Sequence, residues 1–348
     1  MDRRWVWVAG LLWLGAVAAG RAADMVRAGP RKIEGTITRM SATEVTVSTG
    51  TSSETVPVNL IEGITFDDEP VPLRAVRSDV ASGRYDQALA AIDKIDVSQV
   101  GRAEIKEEIE FYKAESTARA ALAGEGEIPE AAKQLAAFLA AYPNNYHFFE
   151  ASETAGELAM AVGQFAKARA HYETVGKKAP WTEYRMRAAV GVGKALLGER
   201  KIEEALKFFD GALAMKGDVD LTEPYRRTAT LGKARCLAEA KQSDQAVKLA
   251  EGVIAQADPE DVPLLAEAYN VKGIALVKAG RTQEALYAFL HVETLYAADP
   301  QAHAEALFWL VQVWRSLKNP QRALEAQRTL NEQYPESRFN QELKAKKS

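Results

Sequence analysis

The spacing of apolar residues changes character twice along the chain. Trp5 to Ala19 is one uninterrupted apolar run behind Arg3 and Arg4. Between residues 32 and 66 the period becomes two. Ile33 and Ile37, Val45 and Val47, then Val56 and Val58 alternate with polar residues, interrupted by Ser41-Ala42-Thr43 and Thr49-Gly50-Thr51-Ser52-Ser53. Side chains of a strand point alternately to opposite faces, so this pattern predicts a β-meander. A fourth short strand is expected over 63–66, ended by Asp67-Asp68-Glu69-Pro70. A sheet of about 40 residues is near the lower limit for folding alone, so it should dock on a neighbour. From Val71 onward the strand signal gives way to alanine-rich sequence with apolar residues at helical spacing.

The helical part repeats. Aligning on one small residue gives Ala88, Ala131, Ala168, Ala205, Ala246, Ala285 and Ala323, spaced by 43, 37, 37, 41, 39 and 38 residues. Five positions upstream stands Gly83, Gly126, Gly163 or Gly280, and three upstream Tyr85, Ile128, Phe165 or Ile202. Twelve downstream falls Pro143, Pro180 or Pro335, where proline stops a helix. The Ala246 unit is the weakest, with Lys241 and Ser243 in place of glycine and an aromatic.

With a bulky residue a turn after the alanine (Leu135, Tyr172, Phe209, Phe289) and glycine in the preceding helix (Gly156, Gly193, Gly273), these units resemble the tetratricopeptide repeat (TPR) family over roughly 70–340. The resemblance implies a mainly α fold, a right-handed solenoid of about seven helical hairpins, preceded by a small all-β module, SH3-like or a plain meander. The period exceeds the usual 34 residues, which implies longer helices or connections, with HEAT-like packing as the structural alternative. The whole layout is similar to exported TPR proteins of planctomycete-type bacteria. The last repeat, His303 to Ser337, resembles periplasmic TPR proteins associated with outer-membrane assembly and Tol-Pal coordination. The chain thus divides into a signal peptide at 1–23, a linker at 24–31, the β module at 32–70, the repeats at 71–340 and a basic tail at 341–348.

Charge changes this picture little. A net charge of -4 argues against bulk nucleic-acid binding, and Lys344, Lys346 and Lys347 read as a solvated end. The four histidines, His147, His171, His291 and His303, have no metal-ligand spacing. Gly191-Val192-Gly193-Lys194 lacks the length and the following Ser or Thr of a phosphate loop, and reads as a small-residue helix contact. Acids three and four apart, such as Glu150, Glu153 and Glu157, are an ordinary solvated face without a shared pocket. Cys236 reads as a small buried hydrophobe. No catalytic set, cofactor or metal is expected.

The resemblance places function on the concave surface, lined mainly by the first helix of each hairpin. Counting 18, 15, 11 and 8 residues before each aligned alanine presents Lys113, Ser116, Glu150, Glu153 and Glu157 in the N-terminal half. Arg187, Lys194, Thr228 and Arg235 follow in the middle, then Asn270, Phe308, Gln312 and Arg315. An acidic ridge beside a basic one suits a polar extended or helical peptide, with the basic row as donors. The function expected is a non-enzymatic scaffold binding proteins or peptides of the cell envelope. The alternative is an accessory or hydrolytic protein acting on envelope glycans or peptidoglycan.

The apolar run is shorter than the about 20 residues a spanning helix needs, and small residues at Ala18, Ala19, Gly20, Ala22 and Ala23 follow it. That pattern predicts export to the periplasm or envelope, with a peripheral membrane association or a retained anchor as the alternative. Intact-mass measurement of native protein should find a chain beginning near residue 23 or 24. Retention of Met1 to Ala19 would refute cleavage.

Overall fold

The computed structural model describes residues 23–345. The run Trp5–Ala19, its flank to Ala22, and Lys346 and Lys347 lie outside the described residues. Five strands come first: β1 (Asp24–Ala28), β2 (Arg31–Met40), β3 (Glu44–Ser48), β4 (Ser53–Pro57) and β5 (Gly63–Thr65). They form one antiparallel sheet in the order β4-β3-β2-β1-β5. The meander is therefore closed on its far side by β5 returning to β1. A register shift between Ile37 and Arg39 bends β2, and Val58, expected in a strand, opens the 3-10 turn Val58–Leu60. Gly35 permits the approach of β3, since a Cβ there would lie 2.2 Å from the Ser48 carbonyl oxygen.

Residues 24–31 are not a linker. They form β1 and the turn into β2, with Asp24, Val26 and Ala28 on the buried side. The reason is a buried carboxylate. Asp24 accepts from the amides of Ile37 (2.8 Å) and Asp67 (2.9 Å) and from Arg102 (2.6 Å), tying both ends of the sheet to the first long helix. Val26, Ile33, Val45, Val47 and Ile64 share one core with Leu73, Val76, Ala88, Ile105 and Ile109 of the helices. The module docks, as its size requires.

Seven hairpins follow. They are α1 (Val71–Ala81) with α2 (Tyr85–Ile92), α3 (Ala103–Ala123) with α4 (Ile128–Ala141), and α5 (Phe148–Ala161) with α6 (Phe165–Lys178). Next come α7 (Thr182–Gly198) with α8 (Ile202–Ala214) and α9 (Val219–Glu239) with α10 (Ser243–Gln256). The stack ends with α11 (Val262–Lys278) and α12 (Thr282–Leu295), then α13 (Pro300–Ser316) and α14 (Pro320–Gln333), covered by α15 (Arg338–Ala345). Each aligned alanine lies in the second helix of its hairpin, and none is more than 3% exposed. The two widest spacings coincide with the two 21-residue helices, α3 and α9. Most of 341–348 is not a frayed tail, because α15 buries Phe339, Asn340 and Leu343 against α13.

Close approach at the crossings depends on missing side chains. A Cβ at Gly193 or Gly232 would lie 2.7 or 2.2 Å from the Phe209 ring, so that ring fills the gap between two successive first helices. Tyr172 occupies the same position between Gly156 and Gly191. The weak Ala246 unit makes the same turn as its neighbours: Lys241 (φ 64°) takes the left-handed position that Gly163 and Gly280 (φ 75° each) hold elsewhere. In the second hairpin that role falls to Gly124 (φ 91°) rather than Gly126.

Ala205→Phe should overpack a crossing and cost roughly 1–3 kcal/mol. Gly252→Ala, in α10 where an added Cβ meets nothing within 4 Å, should instead stabilise by about 0.5–1 kcal/mol. Thermal melts followed by circular dichroism check both, and an unchanged melting temperature for Ala205→Phe would mean the register is wrong.

Candidate functional site

The first helices α3, α5, α7, α9, α11 and α13 turn their inner faces to one cavity of about 1380 Å3, which α15 also borders. The curvature is tight enough for the stack to meet itself, with α13 touching α3. Of the residues placed on the concave face, Glu157, Arg187, Lys194, Thr228, Arg235, Asn270 and Phe308 line this lumen. Glu150 and Glu153 line a smaller cleft of about 380 Å3 with Arg119, Glu157, Tyr172, Tyr184 and Arg187.

Gln312 and Arg315 do not line either cavity. They sit toward the end of α13, where the Arg315 guanidinium donates to Gln327 of α14 (3.3 Å) and Gln312 to the Phe308 carbonyl (3.5 Å). Lys113 is exposed and Ser116 buried, and both lie outside the lumen.

The basic residues are not an open row of donors. Arg187 is paired with Glu153 of α5 (2.5 Å) and Lys194 with Glu267 of α11 (2.8 Å). Arg235 grips both carboxylate oxygens of Glu305 on α13. At the N-terminal end Arg119 bridges Glu115 and Glu157 (2.6 Å each) and donates to Thr154 (2.9 Å). Glu267 and Glu305 were legible in the register, for they stand 18 residues before Ala285 and Ala323. What the register did not show is that tight curvature brings helices two hairpins apart within ion-pair reach.

Burial controls the charges here. It pushes the Glu153 and Glu115 carboxyls up to about 7, against the opposing pull of Arg187 and Arg119. Burial acts in the same direction on Glu305, yet Arg235 holds that carboxyl below its usual range. Arg338, pressed over the rings of Phe165 (5.2 Å) and Phe339 (4.3 Å), is pushed down to about 10 by burial, with the nearby Arg235 adding to the effect. Asn270 is 1% exposed, donates its amide to the Ala302 carbonyl (2.8 Å), and leaves its buried Oδ1 without a partner. Asn270 lines the lumen wall, and a buried acceptor left unmet carries a desolvation cost that a donor brought within reach would relieve.

Beside the small cleft lies a buried ionic hub. Glu108 accepts from Tyr146 (3.0 Å), Arg77 (3.2 Å) and His147 (3.2 Å), and the other His147 nitrogen meets Glu150 (2.9 Å). Burial alone would lower the His147 pKa, but Glu108 and Glu150 lift it to about 9. Of the other histidines, His291 stacks on Tyr269 (4.6 Å), and His303 meets the Tyr334 hydroxyl (2.9 Å). Among the described residues no three His, Cys, Asp or Glu side chains gather as a metal site. Burial raises the Cys236 thiol to about 12, so it stays protonated near neutral pH.

The tetratricopeptide repeat model matches residues 153–220, 193–262 and 272–338, together half of the chain. No curated protein sequence matches. Among solved structures, a tetratricopeptide repeat protein from Parabacteroides merdae is similar, with a TM-score of 0.52 at 15% identity over 76% of this chain and 92% of that one. A Rap protein complexed with competence and sporulation factor gives 0.54 at 15% identity, covering 76% of each chain. NprR in complex with its cognate peptide NprX gives 0.50 at 15% identity, covering 78% and 80%. At these identities the likeness is one of fold.

A histidine whose folded pKa is raised stabilises the fold fully below its unfolded value, and that stabilisation is lost as pH rises through the folded value. Wild-type protein should therefore be more stable than His147→Asn below about 6.5, with the gap closing as pH passes about 9. Urea melts of both proteins at a series of pH values measure that gap, and a constant difference would mean the hub is not charged as described.

Proposed function

Because the chain belongs to the tetratricopeptide repeat family, we propose that it is a protein-binding scaffold that holds an extended segment of a partner polypeptide inside its lumen. The observation that carries this reading is the lumen itself. It is continuous along six first helices and has a buried Asn270 acceptor left unmet. Its fixed charges are largely paired within the protein, which favours a ligand recognised through hydrogen bonds and apolar contacts, such as Phe308 and Tyr172 provide, over one captured by net charge. The complex of NprR with its cognate peptide NprX supports a peptide-like ligand on a similar stack.

We further propose that the scaffold is non-enzymatic and works in the cell envelope after export. The apolar segment behind Arg3 and Arg4, followed by small residues, supports export. Among the described residues no helix is long and apolar enough to cross a membrane.

A photo-crosslinking residue at Phe308, in the lumen, is compared with one at Tyr287, which is 57% exposed. In extract from the native source, the lumen probe should capture a defined polypeptide that the Tyr287 probe does not. Asn270→Leu should weaken that capture about tenfold, roughly 1.4 kcal/mol, without lowering helicity. Equal capture at both positions, or capture untouched by Asn270→Leu, would sink the lumen assignment.

A further inference from the structure

The lumen is a ring because residues far apart in sequence meet. Glu336, after α14, accepts from the Ile128 amide at the head of α4 (2.9 Å), across 208 positions of chain. The Gln301 amide donates to the Leu122 carbonyl (3.5 Å), and Arg338 covers Phe165 (5.2 Å). The Gln333 carbonyl lies so close to Gly124 that a Cβ there would be 2.6 Å away.

This seam differs in kind from the junctions of the stack. Between successive first helices, the rings of Phe209, fully buried, and Tyr172, 8% exposed, are wedged against glycine backbone. At the seam the contacts include these two hydrogen bonds, the Arg338 guanidinium over Phe165 and the backbone approach at Gly124. It also holds a like-charged contact, since the Glu127 carboxyl meets that of Glu336. Part-buried polar contacts of this kind contribute little net free energy. Repeats that touch only their neighbours, by contrast, let small rotations add along the array. The ring is therefore held by many strong junctions and closed by one weak one.

We propose that the seam is a clasp: the edge formed by α13 to α15 separates from α3, α4 and α6 and recloses, so that the lumen takes in an extended segment from the side. The partner class follows from this geometry, in a step that rests on the lumen reading above. A permanently closed ring threads only a chain end. A clasp takes an internal unstructured stretch with folded regions on both sides.

The Ile128 amide reports opening directly, because its acceptor is on the other side of the seam. A disulfide can lock it: a Cβ at residue 163, on left-handed backbone of the kind Lys241 adopts in its own hairpin, would lie 3.5 Å from the Arg338 Cβ, within the span a disulfide allows. In oxidised G163C/R338C, hydrogen exchange at Ile128 should slow at least tenfold relative to the same protein in dithiothreitol, with amides of α8 unchanged. Cys236 is buried and does not interfere. If the engineered pair does not oxidise, Glu336→Ala should speed Ile128 exchange about tenfold at an unchanged melting temperature.

Exchange at Ile128 equal in oxidised and reduced protein, or tracking α8 in every variant, overturns the clasp. The lateral route is read separately by the Phe308 crosslinker placed in the G163C/R338C protein. Capture that disappears on oxidation and returns on reduction supports side entry, and equal capture in both states refutes it. If neither state captures, the lumen reading fails while the exchange result still decides the clasp.

Discussion

Everything in this molecule depends on places where a side chain is missing. Two helices come into contact at close range only if nothing projects between them, and three of the hairpins set glycine against the ring of Tyr172, Phe209 or Phe289. Phe209 can fill the space between α7 and α9 because Gly193 and Gly232 have no Cβ to collide with it. Ala205, fully buried a turn earlier, lets α8 reach that position. Tyr172 does the same between Gly156 and Gly191, and Phe289 packs against Gly273 within its own hairpin, so these contacts help to set the tilt of one hairpin on the next. The curvature of the stack is the sum of those tilts.

Curvature in turn decides the electrostatics. Lys194 and Glu267 are 73 positions apart, and Arg235 and Glu305 are 70 apart, each pair spanning two hairpins. They meet because the inner radius is small. A gentler superhelix would leave the same residues as separate charged ridges, open to solvent and to charged ligands. The tight one pairs them with each other, leaving a polar lumen with little net field and a buried, unmet acceptor at Asn270 in its wall. Beside the small cleft, burial also raises the Glu115 and Glu153 carboxyls against the pull of Arg119 and Arg187.

The β module contributes a fixed end. Its core is continuous with α1, α2 and α3, and the Asp24 carboxylate joins two parts of the sheet to Arg102. Asn59 reaches Glu183 at the start of α7 (2.6 Å), and Ala42 packs against the cluster around Phe149. The sheet therefore rests over the N-terminal ends of α3, α5 and α7, beside the cleft of Glu150 and Glu153. It anchors the first hairpins, against which the other edge of the ring closes.

The sequence by itself determined the local and periodic features: the alternation of Val45, Val47 and Val56 that makes strands, and the seven alanines that mark the second helices. It also placed most of the inner-face positions, from Glu150 to Phe308, because helical periodicity is a property of neighbouring residues. It failed where the deciding contact is long-range. Residues 24–31 carry linker-like composition and become β1 only because Ile37, Asp67 and Arg102 satisfy Asp24. Residues 341–345 look like a charged tail and become helix because α13 offers Phe339 and Leu343 a surface. Gln312 and Arg315 fit the register but turn away as α13 runs along α14. That Arg187, Lys194 and Arg235 are partnered, and that the groove is a ring, follow from the accumulated angle of the stack. No single repeat encodes that angle, so only the tertiary structure could decide it.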